Sequence, residues 1–395
     1  MPVEIWWYVV LGAGLMGALV AWRLRPEDLS AFDEPIDDPR TERFSTGPEP
    51  SAQLRAVEAS LATLGQALRG TSRRQRIAAL RRHIDSAFAD RAFDATFTPV
   101  DCAGVPGEWV LAPGADASRR TLYLHGGGFI IGSPRSHRTL TSRFSALTGG
   151  AVLAIDYRLM PEHPRRAGIE DCRTAYRWML EHGPGGAADR SPASTVFVAG
   201  ESAGGNLTLA LLAWLRDAGL RLPDAAVALS PLTDSCLASP SLRRNRHSDV
   251  MLGPMLGQLV RLPGWLLQAM TWLQTRIDPR DALISPLRGD LHGLPPLLLQ
   301  ASEAEMLLDD ARRYAHRARA AGSPVRLQIW RHPVHAWPIF NPELPEAEEA
   351  LAQIGLFLAG AVPSVRASGA TIGLAENAPP SGLPRASEPA AASPA

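Results

Sequence analysis

The sequence predicts an α/β fold in which helices cover both faces of a mostly parallel central sheet. The hydrophobic period changes near Thr96, from helical spacing before it to short apolar runs after it. Most of these runs are separated by helical patterns, which is the order of parallel strands joined by crossover helices. The chain has 395 residues, 46% of them hydrophobic, so it can bury a large core. Ligands of such sheets bind at the carboxyl ends of the strands.

The first segment, residues 1–25, contains an uncharged apolar stretch at residues 5–22. A bilayer core needs about 17 to 25 apolar residues, and aromatic residues stand at both ends of this stretch, as they do at membrane interfaces. Glu4 precedes it and Arg23 and Arg25 follow it, so the positive-inside rule predicts that the rest of the chain faces the cytoplasm. We expect a membrane anchor at residues 5–22. The alternative is an apolar helix packed on the protein's own surface or in a homodimer, with a cytoplasmic location.

The same stretch holds Gly12-x-Gly14-x-x-Gly17, the spacing of a dinucleotide-binding turn. That motif requires a strand-helix-strand unit and an acidic residue about 20 positions further on. The residues after Trp22 are rich in charge, proline, serine and threonine and offer no second strand. We therefore expect no dinucleotide cofactor.

Composition excludes several classes of partner and site. The chain has 40 basic and 40 acidic residues, so its net charge gives no attraction to nucleic acid, and none is expected as a partner. The three cysteines, Cys102, Cys172 and Cys236, are an odd number without Cys-x-x-Cys spacing. This pattern argues against a disulfide framework or a zinc site and favours a reducing compartment.

Four further segments divide the rest of the chain. Residues 26–49 are rich in charge and proline and are expected to be a linker, and residues 50–95 have the pattern of two amphipathic helices. Residues 96–361 hold the predicted sheet, and residues 362–395, rich in Ala, Pro, Ser and Gly, are expected to be disordered. The strands are predicted in six apolar runs: TLYLHGG, AVLAIDYRL, TVFVAGE, AAVALSP, PLLLQAS and VRLQIWR.

The most informative motif is Gly200-Glu201-Ser202-Ala203-Gly204, a G-x-S-x-G sequence between an apolar strand and an apolar helix. This context is that of a nucleophile elbow, whose tight turn strains the serine backbone and presents its hydroxyl at the top of the sheet. Gly200 and Gly204 leave room for the neighbouring elements. The motif predicts Ser202 as a nucleophile; the alternative is a serine that only caps a helix in a glycine-rich turn.

A second glycine-rich stretch, His125-Gly126-Gly127-Gly128, follows an earlier strand. Acyl transfer creates an oxyanion that needs backbone N–H donors aimed in advance, and glycines present such donors without obstructing side chains. We expect Gly127 and Gly128, with Ala203 after the nucleophile, to form the oxyanion hole, and Gly126 is a further candidate. No Gly-Lys-Ser or Gly-Lys-Thr follows, which argues against a phosphate loop. His125 is expected to hold the loop through a hydrogen bond.

A serine nucleophile needs a histidine base. In enzymes with a nucleophile elbow, this histidine follows the serine in the chain. The later histidines are His247, His292, His316, His332 and His335. His316 lies in a basic helical run and is expected to be solvated. His332 and His335 follow the last predicted strand, at the edge of the sheet where the site should lie.

The acid that orients the base should follow the preceding strand, PPLLLQAS. Four carboxylates do so: Glu303, Glu305, Asp309 and Asp310. The two aspartates have the pattern of first-turn residues in the next helix, where negative charge is favoured by the helix dipole. Spacing does not separate the two glutamates.

Three motifs together make the sequence resemble the hormone-sensitive lipase family of α/β-hydrolases, the bacterial esterases with an HGGG motif upstream of the nucleophile. They are HGGGF at 125–129, DYRLMPEHP at 156–164 and GESAGGN at 200–206. The resemblance extends over about residues 96–359. It implies the α/β-hydrolase fold with a helical cap, and hydrolysis of carboxylic esters through an acyl-enzyme without a metal or cofactor.

The resemblance also selects among the candidate site residues. EMLLDDA places Glu305 at the family's acid position, and VHAWPIF places His335 at its histidine position. The implied triad is Ser202, His335 and Glu305. Two departures stand out: a glutamate replaces the commoner aspartate at 305, and Arg165 and Arg166 replace an apolar residue and a proline.

The family's cap is built from variable segments, which here are the helices at 50–95 and an insert at about 236–280. The insert is apolar and contains Trp265 and Trp272. We expect it to pack between cap helices; lining an acyl pocket, or resting on a membrane surface with the N-terminal segment, are the alternatives. The resemblance implies short to medium acyl esters, with lactones as another class. The competing function is a non-catalytic small-ligand-binding protein on the same fold, against which the intact triad argues.

Overall fold

The computed structural model describes residues 27–33, 38–67, 72–88, 90–185 and 189–362. The predicted anchor at 5–22 lies outside these residues, as does all but the first residue of the predicted disordered tail. Across the described ranges, no helix combines the length and the apolar composition needed to cross a bilayer.

The described residues form one nine-stranded sheet in the order β1-β9-β8-β7-β6-β4-β5-β3-β2. Its strands are β1 (Thr41–Phe44), β2 (Thr96–Asp101), β3 (Pro106–Leu111), β4 (Asp116–Leu124), β5 (Gly150–Ile155), β6 (Thr195–Glu201), β7 (Ala225–Leu229), β8 (Leu297–Ser302) and β9 (Val325–Trp330). Every neighbouring pair in the part of the sheet that runs β1-β9-β8-β7-β6-β4-β5 is parallel. At the other edge, β3 pairs with β5 and β2 pairs with β3, both in antiparallel orientation. The prediction of a mostly parallel sheet is confirmed.

The helices of the described residues alternate with these strands. They are α1 (Ala52–Ala67), α2 (Arg73–Ser86), α3 (Arg138–Thr148), α4 (Arg165–Glu181), α5 (Ala203–Asp217), α6 (Ser241–Arg244), α7 (Gly253–Leu256), α8 (Gly264–Thr275), α9 (Leu308–Ala320) and α10 (Pro345–Ala361). Short 3-10 turns occur at Ser30–Phe32, Arg135–His137, Leu259–Arg261, Pro286–Arg288 and Trp337–Phe340. Helices α1 and α2 match the two amphipathic helices expected at 50–95.

The core lies on both faces of the sheet because successive strand residues point to opposite sides. In β6, Val196 and Val198 face a layer formed by α4, α5 and α9, whereas Phe197 and Ala199 face α3 and α10. Strands buried on both faces have continuous apolar runs. This explains why the six runs read from the sequence coincide with β4 to β9.

The stretch 26–49, expected to be a linker, instead contributes β1 to the sheet. Thr41 to Phe44 pair in parallel with β9, which would otherwise be an open edge. Asp33, earlier in the stretch, pairs with Arg313 of α9, with 2.9 Å between Oδ2 and Nη2. The strand was not recognised because its four residues, TERF, are mostly polar, as an edge strand allows.

Four loops at the carboxyl edge of the sheet place the predicted site residues together. The glycine-rich loop follows β4, Ser202 follows β6, Glu305 follows β8 and His335 follows β9. This edge is where parallel α/β sheets bind ligands.

Candidate active site

Ser202 occupies the tight turn between β6 and α5. Its backbone dihedrals, φ 55° and ψ −113°, lie in a region that a residue with a side chain rarely adopts. The flanking glycines are required by contact: a Cβ on Gly200 would lie 2.6 Å from the Leu124 carbonyl oxygen, and one on Gly204 would overlap that same oxygen. The turn therefore holds the Ser202 hydroxyl at the sheet edge, as the elbow motif predicts.

The structure brings Ser202, His335 and Glu305 into one hydrogen-bonded chain. His335 Nε2 lies 2.9 Å from Ser202 Oγ, and His335 Nδ1 lies 2.7 Å from Glu305 Oε2. The carboxylate fixes the tautomer with hydrogen on Nδ1, so Nε2 can accept the serine proton. The longer glutamate side chain thus reaches the imidazole at ordinary hydrogen-bond distance.

The His335 ring is buried and its position is set by the residue that follows it. Ala336 adopts the left-handed conformation, φ 53°, and its N–H donates to Ser230 Oγ at 3.1 Å. Burial alone would lower the pKa of His335. The hydrogen bond and charge of Glu305, with smaller contributions from Asp249 and Glu201, outweigh burial, so the pKa is raised above its ordinary value.

Glu305 is fully buried, and the loop that carries it is held by the cap insert. Its Oε1 accepts the Ser302 N–H at 2.7 Å. Asn245 Nδ2 donates to the carbonyl oxygens of Glu303 at 2.9 Å and Glu305 at 2.8 Å. Asp249 Oδ2 accepts the Met306 N–H at 2.8 Å. Neither Asn245 nor Asp249 was identified from sequence, because no motif marks them.

The other candidate acids lie elsewhere. Glu303 forms an ion pair with Arg43 at the surface, where both side chains are about half exposed, with 2.8 Å between Oε1 and Nη1. Asp309 and Asp310 occupy the first turn of α9, as predicted, but both are buried. Asp309 accepts the Ser241 N–H, and Asp310 accepts the Thr233 N–H, each at 2.8 Å.

The other candidate histidines are also accounted for. His332 Nε2 lies 3.2 Å from the Gly47 carbonyl oxygen, away from Ser202. The expectation that His316 is solvated is wrong, since it is 3% exposed and its Nδ1 lies 3.0 Å from the Phe32 carbonyl oxygen. The Phe32 contact comes from residues 27–33, which lie in the segment predicted to be a linker. His247 and His292 are exposed.

The glycine-rich loop presents two free amides beside the nucleophile turn. Gly127 and Gly128 adopt φ of 102° and 61°, which suit glycine. Among the described residues, the N–H groups of Gly127, Gly128 and Ala203 donate to no protein acceptor. The Gly126 N–H donates to the side chain of Glu201 and is therefore not free for an oxyanion.

Glu201, the second residue of the serine motif, holds the glycine-rich loop through a hydrogen bond. Besides the Gly126 N–H, its carboxylate accepts the Tyr123 hydroxyl at 2.7 Å and lies 2.9 Å from His137 Nε2. Burial raises the pKa of Glu201, but His137 and Tyr123 outweigh it and the pKa is lowered; Glu201 in turn raises the pKa of His137. The two form a buried, hydrogen-bonded pair that sequence reasoning missed, because the motif leaves its second position open.

His125 holds the same loop in a different way. Its Nδ1 lies 2.8 Å from the Gly126 carbonyl oxygen, and its ring stacks on Tyr157 with centroids 4.3 Å apart. Burial, reinforced by the charge of His137, lowers the pKa of His125 to about 3, so its ring is neutral at physiological pH. These contacts match the loop-holding hydrogen bond that the sequence predicts.

Arg165, one of the two departures from the family pattern, is buried against the site. Its guanidinium lies over the Phe129 ring, 3.6 Å from the centroid, and Nη2 donates to Asn206 Oδ1 at 2.9 Å. The planar cation thus fills an aromatic contact and joins the glycine-rich loop to α5. Burial lowers the pKa of Arg165 to about 10, which keeps it charged. Arg166 is exposed, and nothing in the structure explains it.

The cysteines lie outside this arrangement. All three are buried and unpaired, and burial raises the pKa of the Cys102 thiol to about 12. Within the described ranges, no group of three or more His, Cys, Asp or Glu side chains is arranged to hold a metal ion.

Comparison with known proteins agrees with this geometry. A family model described as alpha/beta hydrolase fold matches residues 121–339. The chain is 41% identical over 251 residues to an acetyl-hydrolase of Streptomyces hygroscopicus, which covers 64% of this chain and 78% of that protein. It is 33% identical over 259 residues to an esterase of Acinetobacter venetianus, which covers 66% and 80%.

Solved structures show the same similarity. A crystal structure described as an esterase from the bacterial hormone-sensitive lipase family superposes with a TM-score of 0.68 at 36% identity, covering 80% of this chain and 99% of that one. The esterase EstE5, soaked with p-nitrophenyl butyrate, superposes with a TM-score of 0.67 at 32% identity, covering 79% and 99%. The chain therefore belongs to the bacterial hormone-sensitive lipase family of α/β-hydrolases and is a carboxylic ester hydrolase.

Proposed function

We propose that this hydrolase cleaves short to medium acyl esters or lactones through a triad of Ser202, His335 and Glu305. The observation that carries the proposal is the continuous chain of hydrogen bonds from Ser202 Oγ through His335 to Glu305 Oε2, at 2.9 and 2.7 Å. Nucleophile and base within hydrogen-bond reach, with the base oriented by a third group, are the requirements for serine catalysis.

In acylation, Ser202 Oγ attacks the ester carbonyl carbon while His335 Nε2 takes the hydroxyl proton. Glu305 holds the ring by accepting its Nδ1–H and stabilises the imidazolium that forms. The C–O bond to the alcohol then breaks, and His335 returns the proton to the leaving alkoxide. The product is an acyl-enzyme on Ser202 and a free alcohol.

The oxyanion of each tetrahedral intermediate accepts hydrogen bonds from the amides of Gly127, Gly128 and Ala203. These donors are already aimed before the reaction, so no free energy is spent on turning them. In deacylation, His335 takes a proton from water, the resulting hydroxide attacks the acyl carbon, and Ser202 leaves with the proton. A carboxylic acid is released.

Two comparisons support a short acyl chain. The Streptomyces relative is named an acetyl-hydrolase, and EstE5 was soaked with a four-carbon acyl ester.

The test is hydrolysis of p-nitrophenyl esters from acetate to palmitate by the full-length protein and by Ser202→Ala. We expect highest activity on the short esters and a loss of at least about 10³-fold in Ser202→Ala without loss of fold. Ser118→Ala, in β4 far from the site, is the matched control and keeps full activity. If Ser202→Ala were as active as the wild type, the result would contradict the triad. Ligand binding without turnover on any ester or lactone would instead support the non-catalytic function.

A further inference from the structure

Helix α8 of the cap insert exposes an unusual amount of apolar surface. Seven large apolar side chains are exposed in the described part of the chain, and four of them lie on α8. Their exposed fractions are 43% for Trp265, 41% for Met270, 50% for Trp272 and 59% for Leu273. The expectation that the insert packs between cap helices is therefore wrong for this face, which we call the cap face.

The helix buries Leu267 and the polar Gln268 and leaves its two tryptophans at the surface. Its polar Gln268 is 2% exposed and its Oε1 has no hydrogen-bond partner among the described residues, whereas its tryptophans face outward. Trp265 and Trp272 lie seven residues apart and Met270 and Leu273 three apart, so each pair shares a side of the helix. Exposed apolar surface concentrated on one helix in this way marks an interaction site.

The segment that carries the cap face has an excess of positive charge over residues 241–276, although Arg244 is paired with Asp309, with 3.1 Å between Nη2 and Oδ2. Residues 241–276 contain five arginines, Arg243, Arg244, Arg246, Arg261 and Arg276, and a single acidic residue, Asp249. Asp249 is 2% exposed and is used to hold the Glu305 loop, so it does not offset the surface charge. Arg276 lies against the cap face itself, with its guanidinium carbon 5.3 Å from the Trp272 ring centroid.

We propose that the cap face docks on an anionic phospholipid surface. Tryptophan prefers the boundary between lipid headgroups and acyl chains, and apolar helix faces bordered by arginine bind anionic membranes in the plane of the interface. The positive charge of the insert is complementary to such a surface and adds attraction with each arginine. A second copy of the chain would present the same five arginines, which would repel each other.

The cap insert also contains two residues that hold the loop of Glu305 at residues 303–306, which we call the acid loop; they are Asn245 and Asp249. Docking through α8 would therefore place the membrane against the segment that holds the loop of Glu305. Esters dissolved in the bilayer would meet the enzyme at its cap.

A label at the cap face tests the proposal in the full-length chain. Trp272→Cys carries an environment-sensitive fluorophore; the three native cysteines are buried and react slowly. The matched control is Leu356→Cys on α10, which is 64% exposed and far along the chain from the insert. The probes are vesicles of phosphatidylcholine alone and with about 30% phosphatidylglycerol, each with and without quencher-labelled lipid.

We expect the label at 272 to shift to the blue and to be quenched on anionic vesicles, with affinity at least about tenfold above that for neutral vesicles and reduced by salt. The label at 356 does not respond. Adding Trp265→Ser and Leu273→Ser weakens the response at 272 by about tenfold and leaves hydrolysis of soluble p-nitrophenyl acetate unchanged. The last result separates lipid docking from the proposed catalysis.

Four results would overturn the proposal. The label at 272 could stay solvated on both kinds of vesicle, or both labels could respond equally. A label at 272 that is already dehydrated in buffer would mean that another part of the chain covers the cap face. A dehydration that increases with protein concentration in the absence of lipid would identify a second copy as the occupant.

Discussion

At the scale of single residues, two glutamates two positions apart have opposite environments. Glu305 is fully buried and 2.7 Å from His335, whereas Glu303 lies at the surface and pairs with Arg43. Spacing along the chain could not separate them, because both follow the same strand. The turn after β8 determines which of the two glutamates faces His335, because Glu305 Oε1 accepts the Ser302 N–H and this directs the side chain inward.

Neutralising each glutamate tests this difference directly. In the proposed triad, Glu305→Gln keeps the shape of the side chain but removes the charge that stabilises the imidazolium, and glutamine can hold the wrong tautomer, so kcat should fall about 10²- to 10⁴-fold. Glu303→Gln loses only a surface ion pair and should stay within about twofold of the wild type. The measurement is kcat on p-nitrophenyl butyrate for both variants. A larger loss in Glu303→Gln would move the acid to that position.

Residues with a local chemical signature were the ones that sequence could predict. The strained turn at Ser202 needs glycines around it, and free amides need glycine, so both leave a readable motif. Glu201, Asn245 and Arg165 leave none. Their roles come from neighbours distant in sequence: Glu201 binds the loop after β4, and Arg165 stacks on Phe129.

At the scale of elements, hydrogen bonds join the cap insert to the loop that carries Glu305. Asn245 and Ser248 donate to carbonyl oxygens of residues 303–305, and Asp249 accepts the Met306 N–H. Asp249 also accepts the amides of Met251 and Leu252, which begin the next turn of the insert. A displacement of the insert would therefore reach Glu305.

Asp249→Asn should change the pH profile as well as the rate. The negative charge of Asp249 helps to raise the pKa of His335, although burial opposes it. In the proposed triad His335 must be neutral to act as base, so removing that charge lowers its pKa and moves the acid limb of kcat/KM to lower pH. We expect kcat to fall by less than about tenfold, because asparagine can still accept the Met306 N–H.

The pH profile separates this electrostatic role from simple support of the loop. Asp278→Asn, at an exposed residue of the same insert that pairs with Arg280, serves as the control and leaves the acid limb in place. A lower kcat in Asp249→Asn with an unchanged acid limb would mean that Asp249 acts only on the loop.

Burial decided which elements could be predicted. Strands β4 to β9 were recognised because both of their faces are covered, which selects continuous apolar runs. Strands β1, β2 and β3 lie toward the edges, carry mixed residues such as TERF and TFTPVD, and were missed. The helix α8 was recognised as apolar, but its exposure could not be predicted, because its outward tryptophans have the composition of a packed helix.

At the scale of the whole molecule, the described N-terminal residues are attached to the hydrolase domain by their own contacts. Asp33 pairs with Arg313, the Phe32 carbonyl oxygen contacts His316, and β1 extends the sheet beside β9. Helix α1 adds Leu54, which packs with Trp330 and Trp337 near the His335 loop.

Deleting residues 1–25 should therefore leave the fold and the activity intact. We expect kcat on p-nitrophenyl acetate within about twofold of the full-length value, and an unchanged melting temperature, because every contact described for residues 27–33 remains. If residues 5–22 anchor the chain, the deletion moves the protein from the membrane pellet to the supernatant of a cell lysate. The cap face would still give the truncated protein a weaker attachment that a salt wash removes, since it depends on arginine. Full-length protein in the supernatant would contradict the anchor, and a truncated protein that resists the salt wash would mean that its attachment is not electrostatic.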